Sequence, residues 1–309
     1  MSIVPFPELD WFARYGYLGV QLFFMISGFV IFMSAENRSP RDFAFSRALR
    51  LYPAFWLCCT LTFLIVWLFA REISMSFSEF LINLTMLAEF FDVSSVDGAY
   101  WSLYVEINFY LLVYLMLLFK KSHQLERALQ IWLILSIISY SLPIGGSLGT
   151  VLRLNYAPYF VAGGTFYLVY SKGSSLMRIA AILASFGTAL LYSLRDLSGL
   201  VRHYKTDFSG SVVFLLLLVF FSTFALIAWR KTDFVKSKKY LYMGMITYPL
   251  YLLHQRIGFI MLNQLYLSVD RFILLAIVIA VLVGAALFVA KYFEKPVIRL
   301  VKQKFSRFF

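Results

Sequence analysis

"FSRALRLYPAFWLCCTLTFLIVWLFA", residues 45–70, decides the fold. Arg47 and Arg50 stand one helical turn apart, and the twenty residues from Leu51 to Ala70 carry no charge. As a helix, a run of that length covers about 30 Å, the thickness of a bilayer's hydrocarbon core. Two cations at the mouth of such a run either anchor it at the membrane surface or hold an anionic ligand there. Helical spacing alone leaves both readings open.

The rest of the chain repeats the pattern. Of its 309 residues 61% are hydrophobic, 19% aromatic and only 14% charged, more apolar than any water-soluble core of this length requires. Apolar runs occur near 16–33, 51–70, 101–119, 128–144, 155–170, 177–194, 211–229, 241–262 and 272–293. They predict an all-α, polytopic integral membrane bundle of about nine transmembrane helices, a single domain over 1–309. The runs at 128–144 and 155–170 have the weakest edges, because they carry Pro143, Pro158, Gly163 and Gly164.

The formal charge of +12 does not point to nucleic acid, since the basic residues sit in short clusters between apolar runs. They read as topology signals. With residue 1 outside, the inner segments hold 20 Lys and Arg and the outer ones 7, while Arg256 lies inside a span. This orientation puts the carboxyl terminus in the cytoplasm, as an odd number of spans requires. Cys58 and Cys59 are adjacent within an apolar run, so neither a disulfide framework nor a zinc site is expected. The amino terminus lacks the basic region and small-residue cleavage site of a secretory signal. In the outer segment 71–100, Ser76 and Glu79 have capping-box spacing. They predict an interfacial helix over the outer mouth, with an extra span as the alternative.

Ionisable groups inside spans carry the chemistry, because each costs roughly 2.5–3.5 kcal/mol or more at the bilayer centre unless it faces a polar interior. Glu106 lies about 9 Å below the outer surface, and His254 reaches a similar depth, about 20 Å up from the inner one. At one level they can share a proton as an acid–base pair, or each can be a separately satisfied interior group. Tyr248, Tyr251 and Gln255 form a polar stripe at i, i+3 and i+7, with His254 one turn after Tyr251. Ser102 and Glu106 are likewise i, i+4. Such a stripe suits a pocket for a hydroxylated acceptor, and equally a polar seam between helices.

Five stretches together resemble the bacterial membrane acyltransferase family 3, in order and spacing over nearly the whole chain. They are "GYLGVQLFFMISGFVIF" (16–32), "SRALRLYPAFW" (46–56), "YWSLYVEINFYLL" (100–112), "YPLYLLHQ" (248–255) and "YFEKPVIRL" (292–300). The resemblance implies a multi-span bundle of the bacterial inner membrane that moves an acyl group, frequently acetyl, from a coenzyme A thioester to hydroxyls of cell-surface glycans or exopolysaccharide. It is an acyltransferase for groups other than amino-acyl groups, with acyl-CoA as co-substrate, no bound cofactor and no metal. The expected partners are the lipid bilayer, acyl-CoA and a glycan or lipid-linked saccharide, and not nucleic acid. By the same resemblance Arg47 and Arg50 match the family's RxxR motif on the donor side. Trp101, Ser102 and Glu106 match W-S-L-x-x-E, and Tyr251 and His254 match Tyr–Leu–x–His. His254 and Glu106 are therefore the expected catalytic residues, Arg47 and Arg50 the donor ligands, and Trp101, Ser102, Tyr251 and Gln255 the acceptor ligands.

One departure accompanies the resemblance. Similar proteins begin with an additional span whose end carries a histidine regarded as the catalytic base, and "PELDWFARYGYLGV" looks like the outer loop that follows it. Restoring that span gives ten crossings with both ends inside, and a late-started chain is the expected explanation. Otherwise His254 acts alone or the chain is inactive. A proton-coupled transporter and a non-catalytic membrane partner are the rival readings.

Overall fold

A computed structural model describes residues 6–36, 38–70, 75–119, 124–142, 149, 151–234 and 238–305, with the side chains of 238–242 and 305 outside that description. Among the described residues there is no strand. The principal helices are α1 (Pro7–Ala13), α2 (Gly19–Ala35), α3 (Pro40–Phe69), α4 (Phe77–Asn83), α5 (Trp101–Leu118), α6 (Leu125–Ser141), α7 (Ala157–Lys172), α8 (Leu176–Tyr204), α9 (Gly210–Ala228), α10 (Lys238–Leu265), α11 (Arg271–Phe288) and α12 (Lys295–Phe305). Each of the nine apolar runs falls mainly on a helix over its described residues, and Pro143 and Ile144 at the end of one lie outside them. Six helical stretches among the described residues are long and apolar enough to cross a membrane: Pro7–Ala35, Pro40–Phe69, Gly98–Leu118, Leu176–Tyr204, Gly210–Ala228 and Arg271–Lys304. The chain is a multi-pass membrane protein. Helices α6 and α7 are shorter, and α10 carries too many polar residues to join the six.

The segment expected to be an outer loop, "PELDWFA", is instead α1. Pro7 opens the helix with its φ already set, and Glu8 and Asp10 lie in the first turn, where the helix dipole favours negative charge. A 3₁₀ turn, Arg14–Leu18, joins it to α2. Segment 75–100 holds no span: α4 has seven residues and a further 3₁₀ turn covers Ala88–Phe91. Residues 71–74 lie outside the described residues.

The capping box forms, with the Glu79 N–H donating to Ser76 Oγ at 3.2 Å and the Ser76 N–H to Glu79 Oε2 at 2.7 Å. That backbone bond, with help from the Ser76 side chain, holds the exposed Glu79 carboxyl below the usual carboxylate range. A carboxylate depressed by folding supports the fold fully above its unfolded pKa, and the support is lost as pH falls through the folded one. Protection of the α4 amides from hydrogen exchange is therefore expected to drop on acidification below the ordinary carboxylate range. In Glu79→Gln, which removes the titrating carboxyl, that pH dependence should disappear.

The helices form two compact units. One comprises Pro7–Phe43 and Val105–Lys236 and is built around α7, whose residues from Ala157 to Val169 are all buried. The glycines that weakened this run on paper lie inside the helix. A Cβ on Gly163 would stand 2.0 Å from the Met25 carbonyl oxygen, and one on Gly28 2.3 Å from that of Phe160. Here α2 and α7 touch backbone to backbone, which only small residues allow. Around the crossing Phe160 stacks against Phe24, with ring centres 4.8 Å apart, and lies 4.5 Å from Phe109.

The other unit comprises residues 1–6, Ala44–Tyr104 and Ser237–Phe309. In it α10 packs on α11 and on the turn Gly98–Tyr100. Between α11 and α12 the residues Val289–Glu294 form a π-helical turn, in which the Lys295 N–H reaches the Ala290 carbonyl, five residues back. Pro296 follows at once. Its missing N–H and the bulk of its ring disfavour an ordinary α-turn there, and the wider turn accommodates both.

Candidate active site

At the predicted inner end of α3, Arg50 and Arg47 lie on one face, and the first already has a partner. Arg50 Nη1 lies 3.1 Å from Glu294 Oε1, and its guanidinium carbon lies 5.4 Å from the centre of the Tyr248 ring. The Tyr248 hydroxyl donates to the Leu51 carbonyl at 3.1 Å, which ties α10 to α3. Glu294 is buried, whereas Arg50 is 42% exposed, so the guanidinium joins an interior carboxylate to the surface. Arg47 is half-buried and donates from Nε to Ser46 Oγ at 3.3 Å. Glu294 had no role assigned from the sequence, although it lies in the motif stretch "YFEKPVIRL". A carboxylate preceding Lys-Pro among basic residues was its only signal.

The predicted polar stripe is assembled around the start of α5. The Tyr251 hydroxyl donates to the Ala99 carbonyl at 2.7 Å and meets the Ser102 hydroxyl at 2.5 Å. Ser102 Oγ also lies 3.2 Å from that carbonyl. Gln255 packs on Gly98, where a Cβ would come within 3.0 Å of its Oε1. Ser102, Tyr251 and Gln255 are thus brought together, with both hydroxyls bonded inside the protein as in a polar seam. Trp101 is half-buried and helps line a cavity of about 10 Å³, the size of one water, with Phe55, Asn83, Glu89 and Tyr104.

His254 is exposed, and its Nδ1 lies 2.8 Å from the Tyr251 carbonyl, one turn back on its own helix. A carbonyl only accepts, so Nδ1 carries the proton in the neutral ring and Nε2 is left as a proton acceptor. Next to it stands a residue the sequence reading passed over. Asp97 is fully buried, and its carboxylate accepts from the Ala99 N–H and the Arg256 N–H, both at 2.8 Å. Burial pushes its carboxyl up, while those two N–H groups, His254 and Arg256 pull it back. An acid directly before the glycine that opens the W-S-L run was the available signal.

Glu106 belongs to the α7-centred unit and His254 to the α10-centred one. Proton sharing between them therefore remains an expectation of the sequence. Within its own unit Glu106 is buried, and its Oε1 accepts from Ser27 Oγ at 2.8 Å and from the Tyr110 hydroxyl at 2.6 Å.

A family model for an acyltransferase domain, that of acyltransferase family 3, matches residues 3–291. The chain belongs to acyltransferase family 3. The match covers most of both units and four of the five motif stretches, and "YFEKPVIRL" (292–300) begins just beyond it. It makes the protein a membrane acyltransferase. No curated protein and no solved structure matches the chain.

Proposed function

We propose that the chain, acting as one catalytic domain, moves an acetyl group from acetyl-CoA to a hydroxyl of a cell-surface glycan or exopolysaccharide. It would do so in a bacterial inner membrane, with residue 1 outside and the carboxyl terminus in the cytoplasm. Family membership supports acyl transfer, and the charge asymmetry of the sequence supports the orientation. The observation that carries the reading is the His254 ring, tied through Nδ1 to its own helix so that Nε2 can take a proton.

In this reading the nucleotide of the donor rests at Arg47 and Arg50, and its pantetheine arm brings the thioester into the protein. His254 Nε2 takes the proton of the acceptor hydroxyl as its oxygen attacks the thioester carbon. The tetrahedral oxyanion collapses, the carbon–sulfur bond breaks, and the departing thiolate recovers the proton from His254. Ser102, Tyr251 and Gln255 offer polar groups to the acceptor or the oxyanion, with Trp101 beside them. Glu106, held by Ser27 and Tyr110, polarises or positions a partner rather than attacking. Arg50 meets the donor phosphates while Glu294 steadies it from behind, so the pair is both span anchor and ligand.

Arg47→Lys with Arg50→Lys keeps the charge and loses the guanidinium fork. The double variant is expected to raise KM for acetyl-CoA about tenfold with kcat nearly unchanged. Steady-state release of CoA from purified protein in lipid nanodiscs measures this, and an unaltered KM assigns the pair to topology alone.

A further inference from the structure

Helix α10 is gripped from outside at the turn that bears His254. In a regular helix the Arg256 N–H and the Leu252 carbonyl are partners. Here that N–H donates to Asp97 Oδ2 at 2.8 Å, and that carbonyl accepts the Tyr100 hydroxyl at 3.1 Å. Both ends of one rung of the helix are thus engaged by a four-residue segment, Asp97–Tyr100. The segment is itself braced. Asp97 Oδ1 accepts from the Ala99 N–H at 2.8 Å, the Ala99 carbonyl accepts the Tyr251 hydroxyl, and Arg256 Nε reaches the Val96 carbonyl at 3.3 Å. His254 lies between the two gripped residues, with its ring on the carbonyl of Tyr251, which the segment also holds.

A fully buried carboxylate is costly unless its oxygens are well supplied with donors. Asp97 obtains two donors, one of them a backbone N–H from the helix of the proposed base. We propose that Asp97–Tyr100 is a clamp that fixes the orientation of His254, with Asp97 and Tyr100 as positioning residues. The inference deepens the proposed function and rests on its assignment of His254 as proton acceptor. The clamp reaches one helical turn from two sides, so loosening either side lets the backbone under the imidazole relax. Side chain and tautomer are then no longer fixed together.

The chain has three histidines, His123, His203 and His254, which makes the ring observable. Full-length protein labelled with 15N-histidine in lipid nanodiscs gives imidazole signals from these three, and His254→Gln assigns the one that matters. In the unmodified protein His254 is expected as the tautomer with the proton on Nδ1. Tyr100→Phe deletes one hydroxyl, and Asp97→Asn keeps the shape while removing one acceptor oxygen. Each is expected to lower kcat about 10- to 100-fold with KM for acetyl-CoA within about twofold, and to move the His254 signal alone. An unchanged His254 signal with unchanged kcat in both variants overturns the clamp. So does a loss of kcat in which all three histidine signals move together, because the segment then holds only the fold. Should Asp97→Asn fail to fold, Tyr100→Phe decides by itself. If His254→Gln keeps full turnover, the assignment of His254 as base has failed, and the His254 signal still decides whether the clamp positions the ring.

Discussion

Replacing His254 by alanine is expected to lower acyl transfer about 10²- to 10⁴-fold, the range supplied by a positioned general base. The side chain is exposed and makes its hydrogen bond to its own helix, so its removal should leave the fold and donor binding in place. Kinetic and structural damage are therefore separable here. The measurement is transfer of labelled acetate from acetyl-CoA to glycan in membrane vesicles, alongside thermal unfolding of the purified variant. Turnover within about threefold of the original protein, against a loss of that size, would remove His254 from the chemistry. Glu106→Gln makes a useful contrast, because Glu106 is buried and accepts two hydroxyl hydrogen bonds. Its loss should show in stability as well as in rate.

The second large effect is on the fold. Alanine at Gly163 is expected to destabilise the protein by about 3 kcal/mol, at the upper end of the ordinary range for overpacking. The added methyl would fall 2.0 Å from a backbone oxygen of α2, and backbone cannot rotate away as a flexible side chain can. Gly187, inside α8, is the control. Nothing lies within 4 Å of its Cβ position, so Gly187→Ala should be neutral or stabilising by about 0.5 kcal/mol. Thermal unfolding in one detergent, read as the difference between the two variants, tests the α2–α7 crossing. Equal behaviour would mean that the helices do not meet there.

These two cases show what the sequence could convey. The apolar runs were legible because bilayer thickness fixes a length that composition alone can match, and over the described residues each falls mainly on a helix. Gly163 was read as a weak edge because a glycine that breaks a helix and one that admits a neighbour's backbone look alike in one dimension. Periodicity placed Tyr251, His254 and Gln255 on neighbouring positions of α10. It did not show what Tyr251 and Gln255 meet, since Ala99 and Gly98 belong to the turn Gly98–Tyr100, which has no repeat to follow. Asp97 and Glu294 escaped for a related reason. Each acts on a residue more than a hundred positions away, on Arg256 and on Arg50, and a lone acid beside a motif carries no sign of such a partner. Glu106 was recognised as interior from its place in an apolar run, and Tyr110 one turn on was within reach of that reading. Ser27, 79 positions earlier, was not.

The π-helical turn before Pro296 works like one extra notch cut into a screw thread. Every side chain after it is advanced by about 100° from where an unbroken α-helix would carry it. The direction in which Lys295, Arg299, Lys302 and Lys304 face is thus set by this single inserted position, in a turn that ends on the residue that grips Arg50. Trimming one uncharged residue from Val289–Glu294 would turn the final helix and its cations through the same angle, although no charge had been lost.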